Sequence, residues 1–310
     1  MLPLLLRAAG LATLLAPHAA GALPATPQGP QLPDGFVDEV VGFPLIRITS
    51  FAFGPGGSLF FTLKKGEVRV LDPGGVPVPT PLLDISDEVG NWNDHGLHGF
   101  ALDPDYDLNG RIYVYYVVDG HHLAHAGTPA YDPAENEYFT ATIARVTRYT
   151  VLDPHDPYTQ ADPASRVVLV GEDAGSGVPV CTSGHGIGWI AFGADGTLLV
   201  SAGDAALGEP ETDLCTGLGH PKKDISFMRA QPVKGMNGRI LRIDPETGDG
   251  LPSNPFYNDL NPRSGRSRTW VLGLRNPYRF CLRPGTGSAD PEAGDPGALY
   301  VGDVLSLIHI

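Results

Sequence analysis

The sequence predicts an all-β chain built as a β-propeller, and three observations carry that expectation. An apolar opening triplet recurs along the chain, with middle residues at Ala52, Ala101, Ala191 and Cys281, at spacings of 49, 90 and 90. The last two spacings read as double steps of about 45, and an all-strand repeat of roughly 40–50 residues marks a propeller blade. Glycine (40) and proline (30) fill nearly a quarter of the 310 residues, which supplies frequent turns, while an apolar fraction of 42% is too high for a disordered chain. No stretch sustains helical periodicity over several turns, which argues against βαβ architectures.

The elements follow in order. Met1–Ala22 reads as a signal peptide: one early charge at Arg7, the apolar stretch Leu11–Ala16, and an Ala20-Gly21-Ala22 ending of the A-x-A kind. An uncleaved anchor is the alternative, and no other segment approaches transmembrane length. Residues 23–35 form a Pro-rich leader. Residues 36–304 are the propeller. Phe36–Ile48 alternates apolar and polar residues as a half-buried strand does. Phe51–Phe53 turns through Gly54-Pro55-Gly56-Gly57 into Leu59–Thr62, and Glu67–Leu71 adds a third strand. Phe100–Leu102 with Arg111–Val118, Ile190–Phe192 with Thr197–Ala202, and Phe280–Leu282 with Leu299–Val301 repeat that hairpin. Ala144–Val151 with Val167–Val170, and Gly238–Ile243 with Trp270–Leu272, are assigned to intervening blades. The connections Asp119–Tyr138 and Gly208–Val233 are long, and long loops on a rigid scaffold are where binding residues collect. The last six residues, 305–310, read as the translation of a sequencing-library adapter, so the natural protein is expected to continue past Val304.

Composition narrows the function. A net charge of −14 argues against a nucleic-acid partner, which needs clustered Lys and Arg, and favours a secreted or periplasmic protein. The three cysteines fit an exported chain with one disulfide and one spare thiol. Cys181 with Cys215 is the expected pair, closing a loop around the next feature.

That feature is Cys181–Asp204. It opens with His185 between Gly184 and Gly186 and runs through a hairpin whose Gly193-Ala194-Asp195-Gly196 turn suits the backbone angles required. His185 therefore stands at the hairpin's entrance, where a side chain can face a cavity. Arg275-Asn276-Pro277 closes the apolar strand Trp270–Leu274 and offers a fixed cation beside an amide, a pairing that suits carboxylates or carbonyl oxygens. Two other motifs read as structure. Asp105-x-Asp107-x-Asn109-Gly110 resembles half an EF-hand loop, but Tyr116 stands where the bidentate Glu belongs, so it reads as a turn. His121-His122-x-x-His125 lacks the His-Glu-x-x-His pattern of a metalloprotease helix and reads as solvated loop histidines, while His95 and His98 are placed to line a cavity mouth.

Taken together these pieces resemble the soluble glucose/sorbosone dehydrogenase family, the pyrroloquinoline-quinone-dependent aldose sugar dehydrogenases. The resemblance runs in order through Gly96–Tyr106, Asn109-Gly110 and Tyr113–Tyr116, then His185, Phe192–Gly196 and Gly203-Asp204. It continues through Asn237–Asp244 with Asn254-Pro255, Gly273–Pro277 and Leu299–Val304. It implies a six-bladed propeller, of which this chain holds about four to five blades, with pyrroloquinoline quinone and calcium above the channel. His185 matches the general base and Arg275 and Asn276 match cofactor contacts, the Arg beside the reacting face. Asp303 matches a position near the quinone and its calcium, and Asp94 falls near a substrate contact. The calcium ligands are expected beyond Val304. The implied partners are a sugar and an external electron acceptor. An imidazole accepts the proton of the anomeric hydroxyl, a guanidinium stabilises charge growing on the acceptor, and a metal polarises it. Gly184 stands where sugar-oxidising members can carry an acidic residue, and Ala205 where some carry glutamine. A non-catalytic propeller that binds a protein or glycan, and a lactonase-type hydrolase, are the alternatives.

Overall fold

The computed structural model describes residues 32–37, 47–138, 140–206 and 226–305. The signal peptide, most of the Pro-rich leader, residues 306–310 of the terminal hexapeptide and Cys215 lie outside them, as does most of the expected Gly208–Val233 loop. The chain divides into two compact units, Met1–Val41 and Gly42–Ile310. The described part of the first is a turn closed by the Phe36 N–H on the Pro33 carbonyl.

The second unit is a succession of antiparallel sheets. β1 (Ile48–Phe53), β2 (Leu59–Leu63), β3 (Glu67–Leu71) and β4 (Leu83–Asp84) pair in that order. β5 (Leu97–Leu102), β6 (Arg111–Val117), β7 (Thr142–Val151) and β8 (Ala161–Val170) form the second sheet, with β9 (Val178–Val180) added against the start of β7. β10 (Ile190–Phe192), β11 (Leu198–Ala202), β12 (Arg239–Ile243) and β13 (Thr269–Leu272) form the third. β14 (Pro277–Leu282) and β15 (Leu299–Asp303) form the last, a hairpin. Each recurring triplet opens one sheet, the order expected of propeller blades.

The 90-residue steps are corrected by this topology. Ala144–Val151 and Val167–Val170 are not an intervening blade but the third and fourth strands of the sheet that β5 opens; Gly238–Ile243 and Trp270–Leu272 do the same for β10. The second and third steps are longer than the first because their sheets carry long connections. Four sheets are described, the last two-stranded. Of the expected Phe36–Ile48 strand, Phe36 and Val37 are not in a strand and residues 38–46 lie outside the described residues; the first described strand begins at Ile48.

Packing follows from side-chain alternation. On β6, Ile112, Val114 and Tyr116 point into a core shared with the first sheet, while Tyr113, Tyr115 and Val117 point into a core shared with the third. A strand buried on both faces reads as a continuous apolar run, as β6 does. β11 repeats the arrangement: Leu198 and Val200 face the second sheet, and Leu199 packs with Phe280 of the fourth. The β10–β11 turn closes as its sequence requires, with Gly196 at φ 74 and the Gly193 N–H on the Thr197 carbonyl. Its Asp195 carboxylate accepts from the Thr197 N–H and forms a fully buried pair with Arg242 at 2.7 Å, tying the turn to β12.

Among the described residues the helices are single turns or little more: α1 (Tyr106–Asn109), α2 (Gly120–His125) and α3 (Gly265–Arg268). None is long and apolar enough to cross a membrane. α1 lies within the Asp103–Gly110 segment, where Asp103 Oδ1 accepts from the Asp105 N–H and the Asn109 amide and Oδ2 from Tyr113; these oxygens hold a turn together. α2 is a correction to the loop expected over Asp119–Tyr138. Asp119 caps it by accepting from the His121 N–H at 2.9 Å.

Candidate functional site

His185 lies on the link between β9 and β10, buried at 8% exposure. Its backbone takes φ 53, a left-handed conformation that costs a non-glycine residue about 1–3 kcal/mol and persists only where neighbours enforce it. The enforcing contacts are visible. The His185 carbonyl accepts from the Ala205 N–H at 2.9 Å, and Thr182 Oγ1 donates to the carbonyls of Gly184 and Ala205, each at 3.0 Å. Ala205 is itself left-handed at φ 58. Between the two runs Gly203, where a Cβ would stand 2.1 Å from the His185 carbonyl oxygen, so only glycine permits this approach.

Asp204 follows that glycine at the end of β11, with 1% exposure. Its Oδ1 accepts from His185 Nδ1 at 2.9 Å and from the Ala206 N–H at 3.0 Å. A carboxylate only accepts, so it fixes the proton of the neutral ring on Nδ1 and leaves Nε2 with the lone pair. Such an arrangement can orient an imidazole to accept a proton. In the sequence alone Gly203-Asp204 belongs to the resemblance but the Asp carries no role; an acid one glycine beyond the fully buried strand β11 is the signal that could have given it one.

The Asp204 N–H donates to the Arg275 carbonyl at 2.7 Å, which brings Arg275-Asn276 to the same place. Asp303, at the end of β15, accepts from the Arg275 N–H at 3.1 Å and the Asn276 N–H at 2.6 Å. Arg275 also donates from its guanidinium to the Val304 carbonyl. In this structure Asp303 holds the Arg-Asn backbone through both carboxylate oxygens. Asn276 Oδ1 is buried with no hydrogen-bond partner among the described residues, and a Cβ on Gly203 would stand 2.9 Å from it.

Asp94 reaches the group through the turn Trp92–His95. The Asp94 N–H donates to the Ser183 carbonyl at 3.0 Å, Asn93 Nδ2 to Ser183 Oγ at 2.9 Å, and His95 Nε2 to the Thr182 carbonyl at 2.9 Å. Asn93, at φ 44, is another strained residue, and Lys64 Nζ donates to its carbonyl. The Asp94 side chain is exposed. Four segments far apart in sequence, around residues 94, 185, 204 and 275, therefore meet.

His95 closes that turn and His98 follows it on β5. Burial pushes the His95 ring below its ordinary pKa. Burial, then the Arg279 guanidinium, lowers His98 to about 4, so it is neutral near pH 7. His98 Nδ1 is 3.3 Å from the Tyr278 hydroxyl and its Nε2 has no partner among the described residues. Arg279 ties β14 to β1, donating to the Thr49 carbonyl at 3.0 Å, and stacks on Trp189 and Tyr278.

The other histidines behave differently from the solvated loop expected. His121 and His125 stand one turn apart on α2, and with Glu137 they bring three ligand-type atoms within 4.8 Å of one another. However, the Asp132 N–H donates to His121 Nε2 at 3.1 Å, so the neutral ring carries its proton on Nδ1, the atom 3.9 Å from Glu137. A metal-bound imidazole needs the reverse, an N–H on the far side that donates. The cluster is a staple for its loop, with His122 Nδ1 2.9 Å from the Tyr131 hydroxyl. Cys181 is in a disulfide and Cys281 is free and exposed; Cys215, the expected partner, lies outside the described residues.

A profile of the glucose/sorbosone dehydrogenase family matches residues 47–297. Hedgehog-interacting protein of Homo sapiens is 26% identical over 259 residues, covering 79% of this chain and 31% of that protein. A Thermus thermophilus protein described as an oxidoreductase (glucose dehydrogenase) is 26% identical with a TM-score of 0.54, over 80% of this chain and 57% of that one. The soluble aldose sugar dehydrogenase of Escherichia coli, in its apo-form, shares the fold at 19% identity and a TM-score of 0.57, over 86% and 59% of the two chains. The chain thus spans about a third of its curated relative and under two thirds of these structures.

Proposed function

The chain belongs to the glucose/sorbosone dehydrogenase family, and we propose on that footing that its activity is oxidation of an aldose at the anomeric carbon. The observation that carries the reading is the buried His185–Asp204 pair, joined through the Asp204 backbone to Arg275-Asn276. A left-handed histidine held in one tautomer by a buried carboxylate is the arrangement a positioned general base requires.

His185 Nε2 takes the proton of the anomeric hydroxyl, and Asp204 keeps the ring in position and stabilises the imidazolium that results. General-base work of this kind contributes roughly 10²–10⁴-fold in rate. When bound, pyrroloquinoline quinone supplies the acceptor for the hydride that leaves the same carbon, and calcium supplies positive charge that polarises that acceptor. The residues present suit such a group: Arg275 offers a cation, Asn276 a buried amide oxygen lacking a partner among the described residues, and Gly203 the absence of a side chain between His185 and Asn276. Arg275 and Asn276 would hold the quinone and Asp303 would keep both in register. Asp94 is the proposed sugar contact. A lactone is the product, an external acceptor removes the electrons, and an exported location fits the N-terminal signal. The complete propeller is proposed to have six blades.

Relatedness to Hedgehog-interacting protein favours a second reading, a propeller that binds another protein. Reconstitution separates the two. The full-length protein is supplied with pyrroloquinoline quinone and calcium, and dye reduction by aldoses is followed. Sugar-dependent reduction with a shifted quinone spectrum supports the dehydrogenase; no spectral change and no turnover leaves the binding module.

A further inference from the structure

Trp92 and Tyr138 come from different loops, yet their rings lie 6.4 Å apart at 54°. Trp92 is half-buried and packs edge-on against His95 at 5.4 Å; Tyr138 is 47% exposed. Both are on anchored backbone. Trp92 opens the turn whose next three residues all bond to Thr182 or Ser183, and the turn closes with the His95 N–H on the Trp92 carbonyl at 2.7 Å. Tyr138 follows Glu137, whose N–H donates to both oxygens of buried Asp119 at 3.2 Å. The Trp92 turn is therefore fixed two to three residues from His185, with the exposed side chains of Asn93 and Asp94 beside it.

This is the chemistry of a sugar-ring face. A pyranose has an apolar face of C–H bonds and a rim of hydroxyls. Large rigid aromatic rings complement the first, and an amide and a carboxylate the second. The strain at Asn93 fits a turn kept for what it presents rather than for stability.

We propose that Trp92 and Tyr138 form the aromatic wall on which the substrate's sugar ring stacks, setting its affinity and orientation toward His185. The proposal rests on the sugar-oxidising reading of that site. Its test uses Trp92→Ala, Trp92→Phe and Tyr138→Ala in the quinone-loaded protein, with D-glucose and maltose as substrates. Trp92→Ala raises KM about tenfold with kcat within about twofold, the signature of lost uniform binding, and Trp92→Phe recovers most of the loss. Tyr138→Ala gives a smaller rise in the same direction. An unchanged KM in a Trp92→Ala protein that binds quinone normally overturns the wall. Titrating D-glucose against tryptophan fluorescence separates this from the reading beneath it. If the wild type never turns over, a saturable signal that Trp92→Phe abolishes sustains the wall while the dehydrogenase falls. Absence of any sugar-dependent signal ends both.

Discussion

His185 is useful because of what constrains it. Its left-handed backbone, the glycine that lets β11 approach and the carboxylate on Nδ1 belong to one arrangement, so each is open to a separate perturbation. Asp204→Asn keeps the size of the side chain but lets an amide N–H face the ring, which removes the preference for the base-competent tautomer. Turnover is expected to fall by about 10²-fold or more, most of what a general base contributes, while KM moves little. Steady-state kinetics on the loaded protein check this, and an unaltered kcat would remove Asp204 from the mechanism. His185 and Arg275-Asn276 stand out in the sequence as short motifs at strand ends, Asp303 enters only through the family resemblance, and the roles of all four belong to the proposal. Asp204 does not stand out, because its contact with His185 is made across nineteen residues, through a close approach that only the folded hairpin creates. The α2 histidines read as loop residues for a related reason: a six-residue helix with an Asp cap is too short to give a periodic signal.

At the scale of elements, β6 decides how the sheets stack. Ile112 is fully buried on the face toward the first sheet, so Ile112→Ala leaves a cavity between sheets and is expected to cost about 2–5 kcal/mol. Tyr115, on the opposite face, is equally buried, but its hydroxyl has no hydrogen-bond partner among the described residues. Tyr115→Phe removes an unsatisfied polar group and is expected to be neutral or to stabilise by about 1 kcal/mol. Urea unfolding of both variants tests the assignment of the two faces. A destabilised Tyr115→Phe would mean that the hydroxyl has a partner in solution. The strands themselves are legible in the sequence, because alternation and Gly-rich turns are local. Which strands share a sheet is not. A repeat near 45 residues and a sheet stretched by long connections give the same spacing of triplets, and only pairing β7 with β6 and β12 with β11 decides between them.

For the molecule as a whole, the strands that open the sheets carry a pH dependence. His98 is held at about 4 by burial and by Arg279, against an ordinary value near 6.5. Between those values the unfolded chain binds more protons than the folded one, so stability falls as pH drops from 6.5 toward 4. The contribution is on the order of 3 kcal/mol, with His95 adding in the same direction. His98→Gln should flatten the acid limb of a plot of urea midpoint against pH, and an unchanged slope would place the acid sensitivity elsewhere. Function is the larger claim, because the chain is similar both to a protein described as a glucose dehydrogenase and to one named for interacting with Hedgehog. The most direct test is the rate of aldose-dependent dye reduction by the quinone-loaded wild type and His185→Ala, with quinone affinity measured on both. The expected result is turnover in the wild type and a loss of about 10²–10⁴-fold in the variant at equal quinone affinity. A variant that retains the full rate, or a wild type that binds quinone and leaves every aldose unoxidised, would contradict it.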